Sequence, residues 1–415
     1  MRSPMHIAIA GGGIGGLTLG LMLHQRGVRC TILEAAAEVK PLGVGINTLP
    51  HAIRELAGLD LLPGLDAIGI RTRQLSYANH LGQTIWSEPR GIFGGHEWPQ
   101  LSIHRGRLQG FLWETAQERL GADAVRGNAR LTGFEQVGDR ILASVGGTRP
   151  QTIEADALVG ADGIHSTLRA ILFPDDPGIR WNGIQMWRGA VDWPIFDGGD
   201  AMVIAGDAVA KLVLYPIGPG ETPQTRLTNW VVYARIADAS SPPPARESWS
   251  QLGSFDEIRP LVERFRLPFI DVEALARATA QIFKYPMCDR DPLPWWTKER
   301  VTLLGDAAHS MYPVGSNGAS QAILDARCLS DLLASRPVGE ALRVYEAERL
   351  PKTADVVRSN RIGGPERVID LVAARAPDGF DDVSAVATQD ELAATVRGYA
   401  SLAGFAVPTN AKSQA

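Results

Sequence analysis

The chain opens with alternating apolar and glycine-rich stretches. An apolar run over 6–10 leads into glycines, apolar residues then recur with helical spacing from 17 to 24, and a second apolar run spans 28–33. Gly27 stands where a glycine commonly follows a helix. Short apolar runs on either side of a helical pattern predict a strand–helix–strand unit.

The rest of the chain divides by pattern into three stretches. Loop and helix are predicted from 37 to 72, and short strands follow up to 160, interrupted by a helix near 106–120. From about 178 to 286 the chain is rich in Trp, Tyr, Val and Thr, which predicts antiparallel strands. A short buried strand at 301–304 then precedes helical spacing to about residue 400.

Composition narrows the class of protein. Of 415 residues, 45% are hydrophobic and 21% charged, as in ordinary globular chains. The net charge of −5, without blocks of like charge, argues against a nucleic-acid or anionic-membrane surface. No apolar run is long enough to span a bilayer. The three cysteines are far apart, so we expect no disulfide framework, no metal site and a cytoplasmic location.

The first glycine segment reads Gly11-x-Gly13-x-x-Gly16, with Gly15 inside it. In dinucleotide-binding folds the first glycine makes a tight turn, the second lets a pyrophosphate approach the backbone, and the third packs the helix against the strand. Glu34 ends the second strand, where a carboxylate can bind a ribose. These features predict a dinucleotide site, because a purely structural turn leaves Glu34 unexplained.

Two further glycine motifs follow buried strands. They comprise Asp162 and Gly163 after the first of these strands, and Gly305, Asp306, Pro313, Gly315 and Gly318 after the second. An Asp-Gly pair is common in plain turns, so the first of these motifs is ambiguous by itself. Asp306 can bond a polyol hydroxyl, and the amides that open the following helix can stabilise an anion. His309 is interpreted as structural rather than catalytic.

The three motifs, about 145 residues apart, resemble those of the single-component FAD-dependent aromatic hydroxylases. The second motif matches the family pattern DGxxSxxR over 162–169. Longer segments are similar to phenazine-carboxylate monooxygenases within that family, at 41–47, 86–91, 186–189, 285–287, 289–294, 311–313 and 317–325. The resemblance covers most of residues 5–360 and fades over 195–280 and after 365.

The resemblance implies a role for each motif. The first binds the ADP part of FAD, the second serves FAD and the nicotinamide nucleotide, and the third binds the ribityl chain. Arg105, with Leu108, matches an arginine that contacts FAD at the start of a helix, and backbone amides at Ala319 and Ser320 contact the flavin N1/O2 edge. The implied cofactor-binding residues are Gly11, Gly13, Gly15, Gly16, Glu34, Gly45, Arg105, Asp162, Gly163, Gly305, Asp306, Pro313, Gly315, Gly318, Ala319 and Ser320.

The resemblance also implies the reaction. NADH or NADPH reduces FAD, oxygen forms a flavin C4a-hydroperoxide, and this hydroxylates a small aromatic or heteroaromatic acid or phenol, with decarboxylation in phenazine relatives. Many relatives carry Arg after the ribose-binding Glu, whereas this chain has Ala35. That change favours NADH, because a 2′-phosphate is usually bound by arginine. We expect O2 and an aromatic small molecule as reactants, and a monomer or homodimer.

Substrate contacts are expected from the antiparallel sheet and from loops that face the flavin. The candidates are Trp187, Arg188, Tyr215, Trp230, Met287 and Tyr312. Arg188, Tyr215, Tyr312 and Pro313 are the predicted catalytic-site residues. Arg188 can pair with a substrate carboxylate or phenolate, or with an acid inside the protein. The two tryptophans are more typical of a core, and no histidine stands out as a general base.

We therefore predict an α/β fold in three parts. A dinucleotide-binding FAD domain comprises 1–72, 98–177 and 281–360, a mixed-sheet substrate domain comprises 73–97 and 178–280, and 361–405 forms a C-terminal helical segment. Alternatives that keep FAD are an epoxidase, a Baeyer–Villiger oxygenase or a reductase acting on a non-aromatic substrate. A non-catalytic FAD- or nucleotide-binding carrier is a further alternative, although three intact motifs argue against it.

Overall fold

The computed structural model describes residues 5–38, 44–147, 150–244 and 251–407, so residues 41–43 of the segment 41–47 lie outside the described residues. In chain order the strands are β1 His6–Ala10, β2 Arg29–Leu33, β3 Gly45–Thr48, β4 Gly69–Arg71, β5 Gln74–Asn79, β6 Thr84–Pro89, β7 Leu101–His104, β8 Val125–Arg126, β9 Ala129–Val137, β10 Arg140–Gly147, β11 Gln151–Ala155, β12 Ala157–Gly160, β13 Ile179–Pro194, β14 Ala201–Gly206, β15 Ala210–Pro219, β16 Thr225–Arg235, β17 Leu252–Gly253, β18 Ile282–Arg290 and β19 Val301–Leu303. The helices are α1 Ile14–Gln25, α2 Pro50–Ala57, α3 Leu62–Ile68, α4 Arg105–Leu120, α5 Thr167–Leu172, α6 Phe255–Val262, α7 Val272–Arg277, α8 Asp306–His309, α9 Gly318–Ser335, α10 Val338–Arg361, α11 Arg367–Arg375 and α12 Gln389–Leu402.

A five-stranded parallel sheet in the order β19-β12-β1-β2-β8 forms the first layer. Its central strand β1 lies between β12 and β2, with Ile9 opposite Val159 on one side and Ile32 on the other. These three side chains are fully buried, as expected for a parallel sheet that is covered on both faces. Helix α1 ends before Gly27, whose φ of +71° is the left-handed conformation that favours glycine. The predicted strand–helix–strand unit is confirmed.

Two small sheets flank this layer. β9, β10 and β11 form an antiparallel sheet, and β3 and β4 pair on either side of β7. The prediction of loop and helix alone over 37–72 is therefore wrong at β3 and β4. These strands have four and three residues and exist through pairing with β7, and no local pattern marks such long-range pairing.

An eight-stranded mixed sheet forms the second layer, in the order β17-β18-β13-β16-β15-β14-β5-β6. All neighbours are antiparallel except β14 and β5. β18 pairs with β13 along most of its length, so this sheet extends to Arg290, beyond the boundary that we placed at 281. Because backbone pairing assigns β18 to the second layer, the proposed boundary moves to about residue 291.

The two faces of the eight-stranded sheet have different partners. Helices α6 and α7 cover one face through residues such as Ile258 and Leu275. The other face packs in part against α11 and α12, through residues such as Ile369 and Leu392. The remainder of that second face forms the wall of a cavity. In the part of the chain that the structure describes, no helix combines the length and apolar character needed to cross a bilayer.

Candidate active site

A cavity lies where the parallel sheet, the eight-stranded sheet and the loop before α9 meet. Its wall includes most of the glycines of the three sequence motifs and the apolar face of the eight-stranded sheet. Among the described residues on this wall, two are cations, Arg105 and Arg188, and two are acids, Asp306 and Glu366. The cavity therefore combines a polar, glycine-lined region with a mostly apolar one.

The first glycine motif shapes the polar region. A Cβ on Gly11 would lie 2.2 Å from the carbonyl oxygen of Ala161, and one on Gly16 would lie 2.0 Å from that of Gly11. Those two positions therefore require glycine for backbone packing. A Cβ on Gly13, by contrast, would have no other atom within 4 Å, and Gly13 lines the cavity. It precedes α1 without a side-chain cap, so the open helix terminus can bind an anion.

Two acidic residues of the first and second motifs bond to backbone amides. Glu34 Oε2 accepts a hydrogen bond from the Gly12 amide, and its Oε1 accepts one from Ala36, each at 2.8 Å. Asp162 accepts bonds from the Ser166 hydroxyl at 2.5 Å and the Thr167 amide at 2.7 Å, at the start of α5. Burial raises the pKa of the Asp162 carboxyl. Asp162 therefore fixes its loop, while its neighbours Ala161 and Gly163 line the cavity.

The third motif rests on a buried ionic network. Asp325 on α9 is fully buried; it accepts a hydrogen bond from the Gly305 amide at 3.1 Å and one from Arg349 Nε at 2.7 Å. His309 Nε2 lies 2.5 Å from the same carboxylate. His309 and Arg349 together hold the pKa of Asp325 at about 2, despite a burial effect in the opposite direction. This network supports the Gly305–Asp306 turn, and the contact with Asp325 agrees with the interpretation of His309 as structural, which stays a prediction.

The loop after Pro313 is held by the last helix. Tyr399 on α12 donates to Asn360 Oδ1 at 2.8 Å and accepts a hydrogen bond from Asn317 Nδ2 at 2.9 Å. A Cβ on Gly315 would lie 2.3 Å from the Tyr399 hydroxyl, so this glycine is needed for close packing. The loop leads into α9, which begins at Gly318 without a side-chain cap and with its first residues on the cavity wall.

Strand register explains which side chains face the cavity from the eight-stranded sheet. Arg188 is opposite Val231, which is opposite Val213, and Tyr215 is opposite Asn229. Side chains alternate between the two faces of a strand. Trp187 and Trp230 therefore point to the other face, where they pack in the core beneath α6 and α7. This agrees with the core interpretation and rules them out as substrate contacts on the cavity wall.

Comparisons with known proteins agree with this geometry. The family model described as the FAD binding domain matches residues 5–360. A phenazine 1,6-dicarboxylic acid hydroxylase of Lysobacter antibioticus is 46% identical over 86% of this chain and 89% of its own length. A 3-amino-4-hydroxybenzoate 2-monooxygenase of Streptomyces platensis is 34% identical over 87% and 88%. A salicylate hydroxylase structure with bound substrate superposes with a TM-score of 0.74 at 21% identity, covering 99% and 100% of the chains.

The chain belongs to the FAD-binding aromatic hydroxylases. The predicted α/β fold, the flavin-dependent monooxygenase class and the FAD cofactor, with NAD(P)H as its family's usual reductant, are thereby confirmed. The hydroxylase has a site that fits FAD, because Gly13 and Gly163 leave open space at the cavity and the uncapped starts of α1 and α9 present amides to it. Asp306 also lines this cavity, and its binding of the ribityl hydroxyls stays a prediction.

The hydroxylase brings thirteen of the predicted cofactor-binding and catalytic-site residues onto one cavity wall: Gly13, Gly15, Gly45, Arg105, Gly163, Arg188, Tyr215, Gly305, Asp306, Pro313, Gly315, Gly318 and Ala319. Met287, a candidate substrate contact, lines the same wall. Six others do not line it: Gly11, Gly16, Glu34, Asp162, Tyr312 and Ser320. The Tyr312 ring packs behind the wall against Met186 and Met287, and the Ser320 hydroxyl accepts a hydrogen bond from the Leu49 amide at 3.1 Å. The functional roles of all these residues stay predictions.

Sequence reasoning missed several residues on the cavity wall of the hydroxylase. Met202, Ile204, Val213 and Val231 form its apolar floor, and strict alternation with Tyr215 along paired strands could have identified them. Tyr233 and Glu366 were also missed. Glu366 ends the short turn Gly364–Glu366 after α10, in the segment where the family resemblance has faded, so no sequence pattern marked it.

Proposed function

We propose that the enzyme hydroxylates a carboxylated polycyclic heteroaromatic ring of the phenazine type, with NADH or NADPH and O2. The observation that carries this proposal is the environment of Arg188. Its guanidinium faces an apolar cavity, and within the described residues no carboxylate forms an ion pair with it. The 46% identity to a phenazine dicarboxylic acid hydroxylase supports the same ring class.

Arg188 is held in place without being neutralised. Its Nη2 donates to the Gly45 carbonyl at 2.7 Å, and its buried Nε has no partner among the described residues. Burial lowers the pKa of Arg188, an effect opposed by Tyr215 and Tyr285. A buried cation without an acidic partner is costly, so a substrate carboxylate would supply the missing charge and a hydrogen-bond acceptor.

The rest of the cavity would position the ring and exclude water. Val231, Val213 and Ile204 form one row across neighbouring strands beside Arg188, a flat apolar surface suited to an aromatic face. When bound, FAD would supply the redox chemistry, because it can accept electrons from NAD(P)H and pass them to O2. The amides at the start of α9 would stabilise negative charge on the reduced flavin, because they combine free N–H groups with a positive helix terminus.

Several finer points of the proposal rest on the sequence. Ala35 after Glu34 favours NADH over NADPH. The carboxylate held by Arg188 is the group that a decarboxylating hydroxylation would release as CO2. The cytoplasmic location that we expect from the wide spacing of the three cysteines stays a prediction. A monomer or a homodimer stays our expectation for the oligomeric state.

The test is NADH oxidation by the FAD-loaded enzyme with phenazine-1-carboxylate, unsubstituted phenazine, salicylate and a non-aromatic acid, with hydroxylated product, CO2 and peroxide measured together. We expect phenazine-1-carboxylate to accelerate oxidation and to appear as a hydroxylated product. Stimulation by the non-aromatic acid alone would overturn the proposal. Product without CO2 would restrict the reaction to simple hydroxylation.

Arg188→Met tests the carboxylate contact. A hydrogen bond to a charged group contributes about 1.5–3 kcal/mol, so binding of phenazine-1-carboxylate should weaken roughly 10- to 100-fold, while binding of unsubstituted phenazine should change little. Arg226→Met on β16 is the matched control, since Arg226 lies outside the cavity wall. Equal loss for both ligands in Arg188→Met would refute the carboxylate role.

A further inference from the structure

The eight-stranded sheet gives the cavity two polar ends with an apolar floor between them. Asn229, Val231 and Tyr233 occupy alternate positions of β16 and so face the same side. At one end Asn229 Oδ1 accepts a hydrogen bond from the Gly45 amide at 2.8 Å, and Arg188 donates to the Gly45 carbonyl. At a rise of about 3.3 Å per residue, Tyr233 lies roughly 13 Å along β16 from Asn229 and roughly 7 Å from Val231, the residue opposite Arg188.

Glu366 and Tyr233 form the second polar end. The turn Gly364–Glu366 brings the Glu366 carboxyl to the cavity wall, where the side chain is only 5% exposed. The Tyr233 hydroxyl donates a hydrogen bond to Glu366 Oε2. Oε1 has no hydrogen-bond partner among the described residues, so one carboxyl oxygen stays available to a ligand.

The charges around Glu366 define what this end can bind. Lys211 Nζ lies 4.0 Å from Glu366 Oε2 but only 2.8 Å from Asp370, so its charge is shared with that second acid. Burial raises the pKa of Glu366, and Lys211 opposes this shift. Two acids against one cation disfavour an anionic ligand, whereas a neutral hydroxyl or amino group can bond to a carboxyl in either protonation state.

We infer that Glu366, oriented by Tyr233, is a specificity-determining residue that binds a hydroxyl or amino substituent on the ring remote from the carboxylate held by Arg188. This inference rests on the proposed function and deepens it, because it defines the substrate as an extended aromatic monocarboxylate with a neutral polar group at its far end. A second carboxylate at the far end would meet Glu366 rather than a cation.

The test is equilibrium binding to the oxidised FAD-loaded enzyme, followed by perturbation of the flavin absorbance. The ligands are phenazine-1-carboxylate, 6-hydroxyphenazine-1-carboxylate and phenazine-1,6-dicarboxylate. We expect the wild type to bind the hydroxy ligand about tenfold more tightly than the other two. Glu366→Leu should abolish that preference and change the affinity for phenazine-1-carboxylate less than threefold. Tyr233→Phe, which keeps the buried ring, should reduce the preference about threefold.

Control variants separate this inference from the proposed function. Arg188→Met should weaken all three ligands and leave the hydroxy preference intact, because it acts at the other end of the cavity. Bound FAD and thermal midpoint report folding for each variant, and Tyr233→Phe carries the test if Glu366→Leu does not fold. Two results would overturn this inference and leave the proposed function standing. One is a hydroxy preference that survives both Glu366→Leu and Tyr233→Phe. The other is wild-type binding of the dicarboxylate as tight as that of the hydroxy ligand. Binding of none of the three ligands by FAD-loaded wild type refutes the proposed substrate class and the inference with it.

Discussion

Replacement of Asp325 by Asn tests whether the buried ionic network supports the FAD site. Asn keeps the shape of the side chain but removes its charge, and it places an amide donor where Asp325 accepts bonds from Gly305, His309 and Arg349. Arg349 would then be a buried cation without its ion-pair partner. Removal of one member of a buried pair costs about 3–5 kcal/mol, so we expect a loss of stability in that range.

The pH dependence of stability gives a second magnitude for the same group. The pKa of Asp325 falls from 3.8 to about 2 in the folded state, which corresponds to roughly 2–3 kcal/mol at 1.36 kcal/mol per pH unit. Because the folded-state pKa is the lower one, this stabilisation is fully present above about pH 4. It is lost as the pH falls from about 4 to 2. Asp325→Asn should lose this part of the acid sensitivity.

The assay is urea unfolding of wild type and variant at pH 7 and across the acid range, with FAD affinity measured by flavin fluorescence. The weakened Gly305 turn should reduce FAD affinity about tenfold, the equivalent of one hydrogen bond. Asp331→Asn on the same helix is the matched control. The Asp331 side chain is 47% exposed, and ion pairs between exposed groups contribute only about 0–1 kcal/mol to stability. A loss of stability in Asp325→Asn no larger than in this control would refute the reasoning.

Three further predictions concern the cofactor site. Gly11→Ala should fold poorly, since its Cβ would lie 2.2 Å from a backbone oxygen, whereas Gly13→Ala should keep its unfolding midpoint and lose FAD affinity; equal stability of the two variants by urea unfolding would contradict this. Asp306→Ala should lose most bound FAD, and stoichiometric flavin absorbance in the purified variant would count against the ribityl assignment. Tyr399→Phe should lower the free energy of unfolding by about 1–3 kcal/mol, because Asn360 Oδ1 is left without its donor. The variant should also release FAD at a lower temperature. An unchanged thermal midpoint would show that the hydroxyl is dispensable.

The sequence alone predicted the parts of the protein that depend on local pattern. The run from His6 to Gly16 contains a strand, a turn that only glycine can make and a helix start, and Glu34 follows at the end of the next strand. Such features are specified by neighbouring residues, so the strand–helix–strand unit and the family could be predicted. Trp187 and Arg188 are consecutive residues of a predicted strand, so their side chains are expected on opposite faces.

Only the tertiary structure decided which of these side chains meet. Alternation puts Trp187 and Arg188 on opposite faces of β13, but the packing of α6 and α7 determines which face becomes the core and which the cavity. Tyr312 lies within a predicted motif and still packs behind the wall, whereas Glu366, from a segment without any motif, reaches the cavity. Cavity walls are built from contacts between residues far apart in the chain, and those contacts depend on how the layers pack rather than on any local pattern.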